Sequence, residues 1–273
     1  MKTIAIGSFK GGTAKTSTAL HVGSALASFH KKRVLLLDFD SQANLTTGLG
    51  FDPDEQDSLA PVLQSNRRIH EVILSTPIER LDLIPADTWL ERVEVTGALA
   101  ADRYSHERLK DLLQGLDYDY TIIDTPPSLC WLTESALIAA TDALVCATPE
   151  FYSVKGLQRL SQFMNNIAER HPFSILGVAL SFWNARGKSN SAFLDVIEST
   201  FPGKILEAKV RRDSAVHEAS IYGRPVFETA PKSRAADDYR ALAEELLLRI
   251  NRDYDESQHV PNRETEERLV KTF

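Results

Sequence analysis

The chain has 273 residues, of which 43% are apolar and 25% charged, with a formal net charge of −7. That is enough apolar material for a sizeable core, and the acidic balance argues against wholesale coating of nucleic acid while leaving room for a local basic patch. No run approaches the roughly 18 apolar residues that span a bilayer. The start, MKTIAIGSF, lacks a charged-then-apolar secretory layout. The two cysteines, Cys130 and Cys146, form neither a disulfide framework nor a metal spacing. A cytoplasmic protein is expected, with both cysteines buried as small apolar residues.

In chain order, short runs rich in Val, Ile and Leu predict buried strands at Thr3–Gly7, Arg33–Asp38, Leu81–Pro85, Tyr118–Asp124, Ala143–Ala147, Ile175–Leu180 and Ile205–Val210. Helical periodicity predicts helices between them at Thr16–Phe29, Ser105–Gly115, Thr133–Ala140, Gly156–Arg170 and Ser191–Thr200, and a last one at Ala235–Ile250. Strands alternating with helices imply βαβ units, and so an α/β fold: a mostly parallel twisted sheet with helices on both faces. Asp52–Ser58, acidic and containing Pro53, reads as an exposed loop. No repeat or linker divides residues 1–250, which read as a single domain. Asn251–Phe273 is rich in charge and poor in apolar residues, and a solvated tail is favoured there over a short partner-binding helix.

The first strand runs into Ser8-Phe9-Lys10-Gly11-Gly12-Thr13-Ala14-Lys15-Thr16-Ser17, and a helix begins. The glycines let the backbone turn so that successive N–H groups face one point, and the helix N-terminus adds partial positive charge there. Lys15 can reach the β- and γ-phosphates of a nucleotide, and the Thr16 hydroxyl is placed to ligate Mg²⁺. The strict phosphate-loop pattern fails at Phe9 and Ala14. What stands is K-G-G-x-x-K-[ST], with two lysines. A glycine turn with incidental surface lysines is the competing reading, and it leaves the position between a hydrophobic strand and a helix unexplained.

Three carboxylates follow. Strand alternation puts Asp38 and Asp40 on one face, at the carboxyl end of a parallel strand where that face looks into the ligand crevice. Such a pair can hold Mg²⁺-bound water and polarise an attacking water. The run Tyr120-Thr121-Ile122-Ile123-Asp124 is an apolar strand ending in aspartate, a Walker B arrangement in which Asp124 would hold Mg²⁺ through water. Pro126 and Pro127 then stop the strand and stiffen the loop. Capped strand ends with solvated aspartates are the competing reading.

With these motifs in this order, the chain resembles the ParA/Soj/MinD family of deviant Walker ATPases, from Lys2 to about Ile250. The resemblance implies a P-loop NTPase fold that takes ATP and Mg²⁺. It implies nucleotide contacts from Lys10, Gly11, Gly12, Thr13, Ala14, Lys15, Thr16, Ser17, Asp124 and Pro126, and a metal set of Thr16, Asp38 and Asp124. It implies a catalytic set of Lys10, Lys15 and Asp40: Lys10 crosses a homodimer interface to the partner's phosphates, and Asp40 orients the hydrolytic water. Asp38 then contacts the Lys10 loop or the metal's water shell. Asp124-Thr125-Pro126-Pro127 resembles the segment that senses the γ-phosphate. The stretch from Asp38 to Thr46 is similar to the family's D-x-D-P-Q-x-N-x-T, with Ser41 in place of proline. Ala14 replaces the family's usual glycine, and a helical backbone there is expected to tolerate its methyl.

The block from Lys209 to Val226 looks like the family's carboxyl-terminal block, with E-A-x-x-x-G-x-P-V at Glu218–Val226. Lys204, Lys209, Arg211 and Arg212 face only Glu207 within Gly203–Arg212, an excess that could track phosphates without reading bases. Arg224 joins this DNA-binding set, and Arg186, Lys188, Lys232 and Arg234 extend it. Arg211 or Arg212 is alternatively a nucleotide contact, and Ala215 stands where the family often has another arginine. Solvated surface charge is the bland reading of each. Pro149–Leu157 resembles the segment facing the dimer partner. Ser181–Asn184 lies where the family contacts adenine, although core packing suits Phe182 and Trp183 at least as well. The function implied is DNA partitioning. An ATP-dependent sandwich homodimer binds non-specific DNA on the nucleoid and is released when a ParB-like adaptor stimulates hydrolysis. The rivals are a same-fold positioning ATPase for another cargo and a MinD-like membrane-cycling ATPase, beside a non-hydrolysing nucleotide-dependent scaffold, which Lys10, Lys15, Asp40 and Asp124 speak against, and an iron–sulfur reductase of related fold, which Cys146 inside a strand suits poorly. The second needs a basic amphipathic end, and Arg263–Val270 is too acidic and too thinly apolar, so no membrane contact is expected.

Overall fold

The structure is a computed structural model that describes residues 1–8, 10–64, 67–95, 104–149, 154–187 and 190–258. Eight strands form one sheet: β1 (Lys2–Gly7), β2 (Val34–Asp38), β3 (Leu74–Ser75), β4 (Leu81–Ile84), β5 (Tyr120–Asp124), β6 (Asp142–Ala147), β7 (Ser174–Trp183) and β8 (Ile205–Arg211). Their spatial order is β3-β4-β2-β5-β1-β6-β7-β8. Every pairing is parallel except that of β3 with β4. The central strands β2, β5 and β6 are buried along their whole length, as their unbroken apolar runs require.

The helices are α1 (Lys15–Ser28), α2 (Asn44–Gly48), α3 (Leu59–Leu63), α4 (Trp89–Val95), α5 (Arg108–Leu113), α6 (Trp131–Ala139), α7 (Val154–Ala168), α8 (Asn190–Thr200), α9 (Ser214–Ile221), α10 (Val226–Thr229) and α11 (Arg234–Gln258). The pleat splits the core in two, because successive strand residues point to opposite faces. Ala5, Leu35, Leu37, Ile123 and Val145 pack with Leu63, Leu113, Leu132 and Leu160 on one side. Ile4, Ile6, Leu36 and Ile122 pack with Leu20, Leu45, Leu242 and Leu246 on the other. On that second side His21 of α1 is buried against Tyr239, and burial pushes it down to about 3, so the ring stays neutral.

Two close contacts bear on the site. Gly50 and Gly223 both have positive φ (84° and 63°), and a Cβ on Gly223 would lie 2.5 Å from the Gly50 Cα. The end of α2 therefore abuts the end of α9 backbone to backbone. Along the outer edge of β8, α11 caps the strand with side chains. Glu245 accepts from the backbone N–H groups of Glu207 and Ala208 (3.0 and 2.8 Å), and Asp238 accepts from that of Arg211 (2.9 Å). Arg249 donates to the carbonyls of Ile205 and Leu176.

The mostly parallel sheet with helices on both faces is as expected from the sequence. Several details differ, the unexpected short helices α2, α3 and α4 among them. β3 was not expected; two residues are too few for a periodic signal. β7 runs to Trp183 rather than Leu180, so Ser181, Phe182 and Trp183 lie within the strand. α11 continues to Gln258, past the expected end of the domain at Ile250, while 259–273 lie outside the described residues. Cys146 is buried as expected, but Cys130 is only half-buried.

Candidate functional site

The site is built where β1, β2 and β5 end together. The parallel register pairs Asp38 with Asp124 across β2 and β5, and Ile6 of β1 with Asp124. Thr125 locks the turn after β5 by donating its hydroxyl to the Ile6 carbonyl at 2.6 Å. Beyond β1 the chain wraps tightly into α1. Gly12 has φ 74°, and Ala14, the residue before α1, has φ 62° and ψ 29°. This corrects the expectation for Ala14. Its backbone is left-handed, a conformation that costs a residue with a Cβ on the order of 1–2 kcal/mol. Strain of that kind persists where the surroundings impose it, as at ligand clamps.

The turn aims donors at one spot. No side chain caps α1, so the first amides of the helix keep their positive end open to an anion. Lys15 is only 7% exposed, and its Nζ donates to the Ser8 hydroxyl at 3.1 Å. Ser8 in turn donates to the Lys10 carbonyl at 2.8 Å. Lys10 itself is exposed at the rim, and Phe9 lies outside the described residues.

The three carboxylates are all buried, and their surroundings differ. Asp38 Oδ2 accepts from the Thr46 amide (2.8 Å) and hydroxyl (2.7 Å), and its Oδ1 accepts from the Asp40 amide (3.3 Å). Burial pushes its carboxyl up, and those hydrogen bonds partly oppose the shift. Asp40 is 8% exposed and accepts from the Gln42 amide at 3.1 Å. Asp124 is fully buried, and neither of its oxygens has a hydrogen-bond partner among the described residues. Burial first, then the neighbouring Asp38 charge, hold its carboxyl well above the usual range; the Thr16 hydroxyl and the Lys15 charge oppose them. An orphaned buried carboxylate beside a hydroxyl is an all-oxygen donor set, which fits a hard cation such as Mg²⁺. Among the described residues no cluster of three His, Cys, Asp or Glu side chains could hold a metal by itself. A cation here would therefore share its shell with water and phosphate oxygens, as Mg²⁺ does in nucleotide sites.

The cradle opens into a cavity of about 710 Å³, with Gly12, Lys15, Asp40, Pro127, Phe182 and Arg212 among its walls. All the phosphate-loop residues from Gly11 to Ser17 line it. Pro126 is buried behind Pro127, whose Cβ lies 3.8 Å from where a Cβ on Gly11 would stand. Phe182 and Trp183 part company. Phe182 lines the cavity at φ 53°, a strained backbone for an aromatic residue, while Trp183 packs on the core. The Arg212 guanidinium lies 5.2 Å over the Phe182 ring, which puts Arg212, of the two candidate arginines, on the cavity wall.

The basic block is only partly gathered. Arg211 is clamped on Asp238, with its Nη2 2.6 Å from Oδ1, and Arg224 pairs with Glu228 at 3.2 Å. Lys209 lies over the Trp183 ring at 5.5 Å, and Arg234 pairs with Asp213 at 3.7 Å. Lys204 precedes β8 while Arg212 follows it, so the two stand at opposite ends of a strand, roughly 25 Å apart at about 3.3 Å per residue. Lys188 and 150–153, within the Pro149–Leu157 segment, lie outside the described residues. Several contributors were not assigned from sequence, Gln42, Asn44, Thr47 and Gly48 on the cavity wall among them. Thr46 ends the stretch from Asp38, and nothing in its spacing says that its hydroxyl turns back onto Asp38. Ser220 reaches the cavity from α9, a contact made only by the tertiary fold.

A family profile described as an AAA domain matches residues 1–175. A ParA family protein of Chlamydia muridarum is 68% identical over 250 residues, covering 91% of this chain and 98% of that relative. The sporulation initiation inhibitor protein Soj of Bacillus subtilis is 34% identical over 253 residues, covering 90% and 98%. Among solved structures, the septum site-determining protein MinD of Pyrococcus horikoshii, complexed with Mg-ADP, superposes with a TM-score of 0.73 at 26% identity, covering 90% of this chain and 95% of that one. Among the described residues no helix is long and apolar enough to cross a membrane.

Proposed function

The chain belongs to the ParA family of P-loop ATPases, and from that premise we propose that it partitions DNA through an ATP- and Mg²⁺-dependent sandwich homodimer. The paired form binds DNA without sequence preference and is released when a ParB-like adaptor stimulates hydrolysis, in the cytoplasm on the nucleoid. The observation that carries this reading is the unpartnered Asp124 carboxylate beside Thr16 and Lys15, at the mouth of an anion cradle.

In this reading the amides from Gly11 to Ser17 and the Lys15 ammonium hold the phosphates. Thr16, and Asp124 through water, would hold Mg²⁺, which would supply positive charge against that of the phosphates. Asp40 orients the attacking water. Phe182 offers its ring face to the adenine, and Arg212 backs it. Lys10, exposed at the rim, reaches across to the other chain's phosphates and completes the positive cluster only when two chains close. Phosphoryl transfer is catalysed chiefly by positioning and charge, and a cation supplied in trans can be worth ~10³–10⁵ in rate. Lys209, Arg211, Arg212 and Arg224 form the DNA footprint, and Lys204 stands apart from it.

The test is ATP turnover with and without DNA and a ParB-type partner, paired with sizing in ATP and Mg²⁺. Turnover should be slow alone and rise with both additions, and ATP should double the apparent mass. Lys15→Ala should lose binding of labelled ATP. Lys10→Ala should keep binding but lose the stimulated rate, and unchanged turnover in that variant removes the role across the interface.

A further inference from the structure

We propose that Thr46 is a positioning residue for hydrolysis, acting through Asp38 on Asp40; the proposal rests on the reading of Asp40 as the group that orients water. Thr46 is fully buried in the short helix α2, and its hydroxyl does two things at once. It donates to Asp38 Oδ2 at 2.7 Å and accepts from the Ala86 amide, just past β4, at 3.1 Å. Its own amide gives Asp38 Oδ2 a second donor at 2.8 Å. One side chain thus ties the ends of β2 and β4 to α2. With Oδ2 held by two donors, the Asp38 carboxylate has a fixed rotation, and Oδ1 is presented to the Asp40 amide at 3.3 Å. The Asp40 carbonyl then closes a turn with the Ala43 amide at 2.9 Å, and its carboxylate takes the Gln42 amide. The relay runs from Thr46 to Asp38 to Asp40, and only its last member lines the cavity.

The division of labour between the buried carboxylates follows. Asp124 has no hydrogen-bond partner among the described residues, so it is open to a ligand; Asp38 accepts three hydrogen bonds and is committed to holding the loop. Removing the Thr46 hydroxyl leaves the Ala86 amide without that acceptor and leaves Asp38 Oδ2 with one donor in place of two, which loosens its rotation. The Asp40 carboxylate shifts with it, and a displacement near 1 Å at a positioning group can cost on the order of 10²-fold in rate.

Thr46→Val, Thr46→Ser and Asp40→Asn are compared for ATP turnover, equilibrium binding of labelled ATP and thermal melting. Thr46→Val, nearly isosteric but without the hydroxyl, should lower kcat by roughly tenfold or more while the Kd for ATP stays within about threefold. Thr46→Ser, which restores the hydroxyl, should recover kcat to within about threefold. A merely structural role would lower kcat, affinity and melting temperature together in both variants. That result overturns the proposal, as does wild-type turnover in Thr46→Val. If Thr46→Val does not fold, Thr46→Cys replaces it in the same comparison with the same outcomes. Asp40→Asn separates the two readings. Turnover retained there removes the Asp40 role and this proposal with it; turnover lost there, with Thr46→Val at the wild-type rate, removes this proposal alone.

Discussion

Asp124 is a carboxylate that the fold buries without giving it a hydrogen-bond partner among the described residues, and an unsatisfied buried polar group costs about 1–3 kcal/mol. Its folded pKa is raised above the unfolded 3.8, so the native state holds the proton more tightly. In metal-free protein its contribution to stability therefore declines as pH rises above about 4 and through the native pKa. Asp124→Asn should stabilise the protein in chelator at pH 7.5 by about 1–3 kcal/mol, seen as a higher melting temperature, and flatten this pH dependence while abolishing turnover. A lower melting temperature in that variant contradicts the account. The sequence marked Asp124 from its place at the end of an apolar strand, and it marked Lys15 and Thr16 from the glycine turn. It did not show that Ala14 is left-handed, because the φ of a residue before a helix is set by where the preceding strand must deliver the chain. Nor did it show which of Phe182 and Trp183 faces the cavity, since that depends on how far β7 runs.

The short helices α2 and α9 connect the cradle to the basic block. α2 carries Thr46, and its end meets the end of α9 through Gly50 and Gly223, where a Cβ on Gly223 would strike the Gly50 backbone. Gly223 also closes α9, with its amide on the Ser220 carbonyl and that of Arg224 on the Ala219 carbonyl. Gly223→Ala combines a positive φ with a clash against backbone, and should destabilise the protein by roughly 1–3 kcal/mol or more. Chemical denaturation measures it, and an unchanged midpoint would contradict the close approach. The glycine and the following proline were legible as a helix stop. Its partner was not, because Gly50 lies far away in the chain and only the packing of α2 brings the two together. The longer strands were legible, and β3, α2, α3 and α4 were not: so short an element gives hydrophobic periodicity too little length to register.

At the scale of the molecule, a net charge of −7 opposes DNA, so the DNA binding proposed above would rest on a small footprint rather than on the whole field. Lys209, Arg211, Arg212 and Arg224 give at most four phosphate contacts per chain, and log K against log salt should fall with a slope of about −3 to −4 per chain. A flat dependence removes the DNA reading. The fold was legible as a whole because burial on both faces writes itself into every central strand. The grouping of the basic residues was not, since nothing in Gly203–Arg212 tells that Lys204 and Arg212 lie at opposite ends of β8. Glu245, Asp238 and Arg249 occupy the backbone groups that β8 would otherwise offer to a stranger, and at the far margin β3 exposes a strand of only two residues. With its flanks sealed in this way, the sheet is guarded against growing into ribbons by accretion.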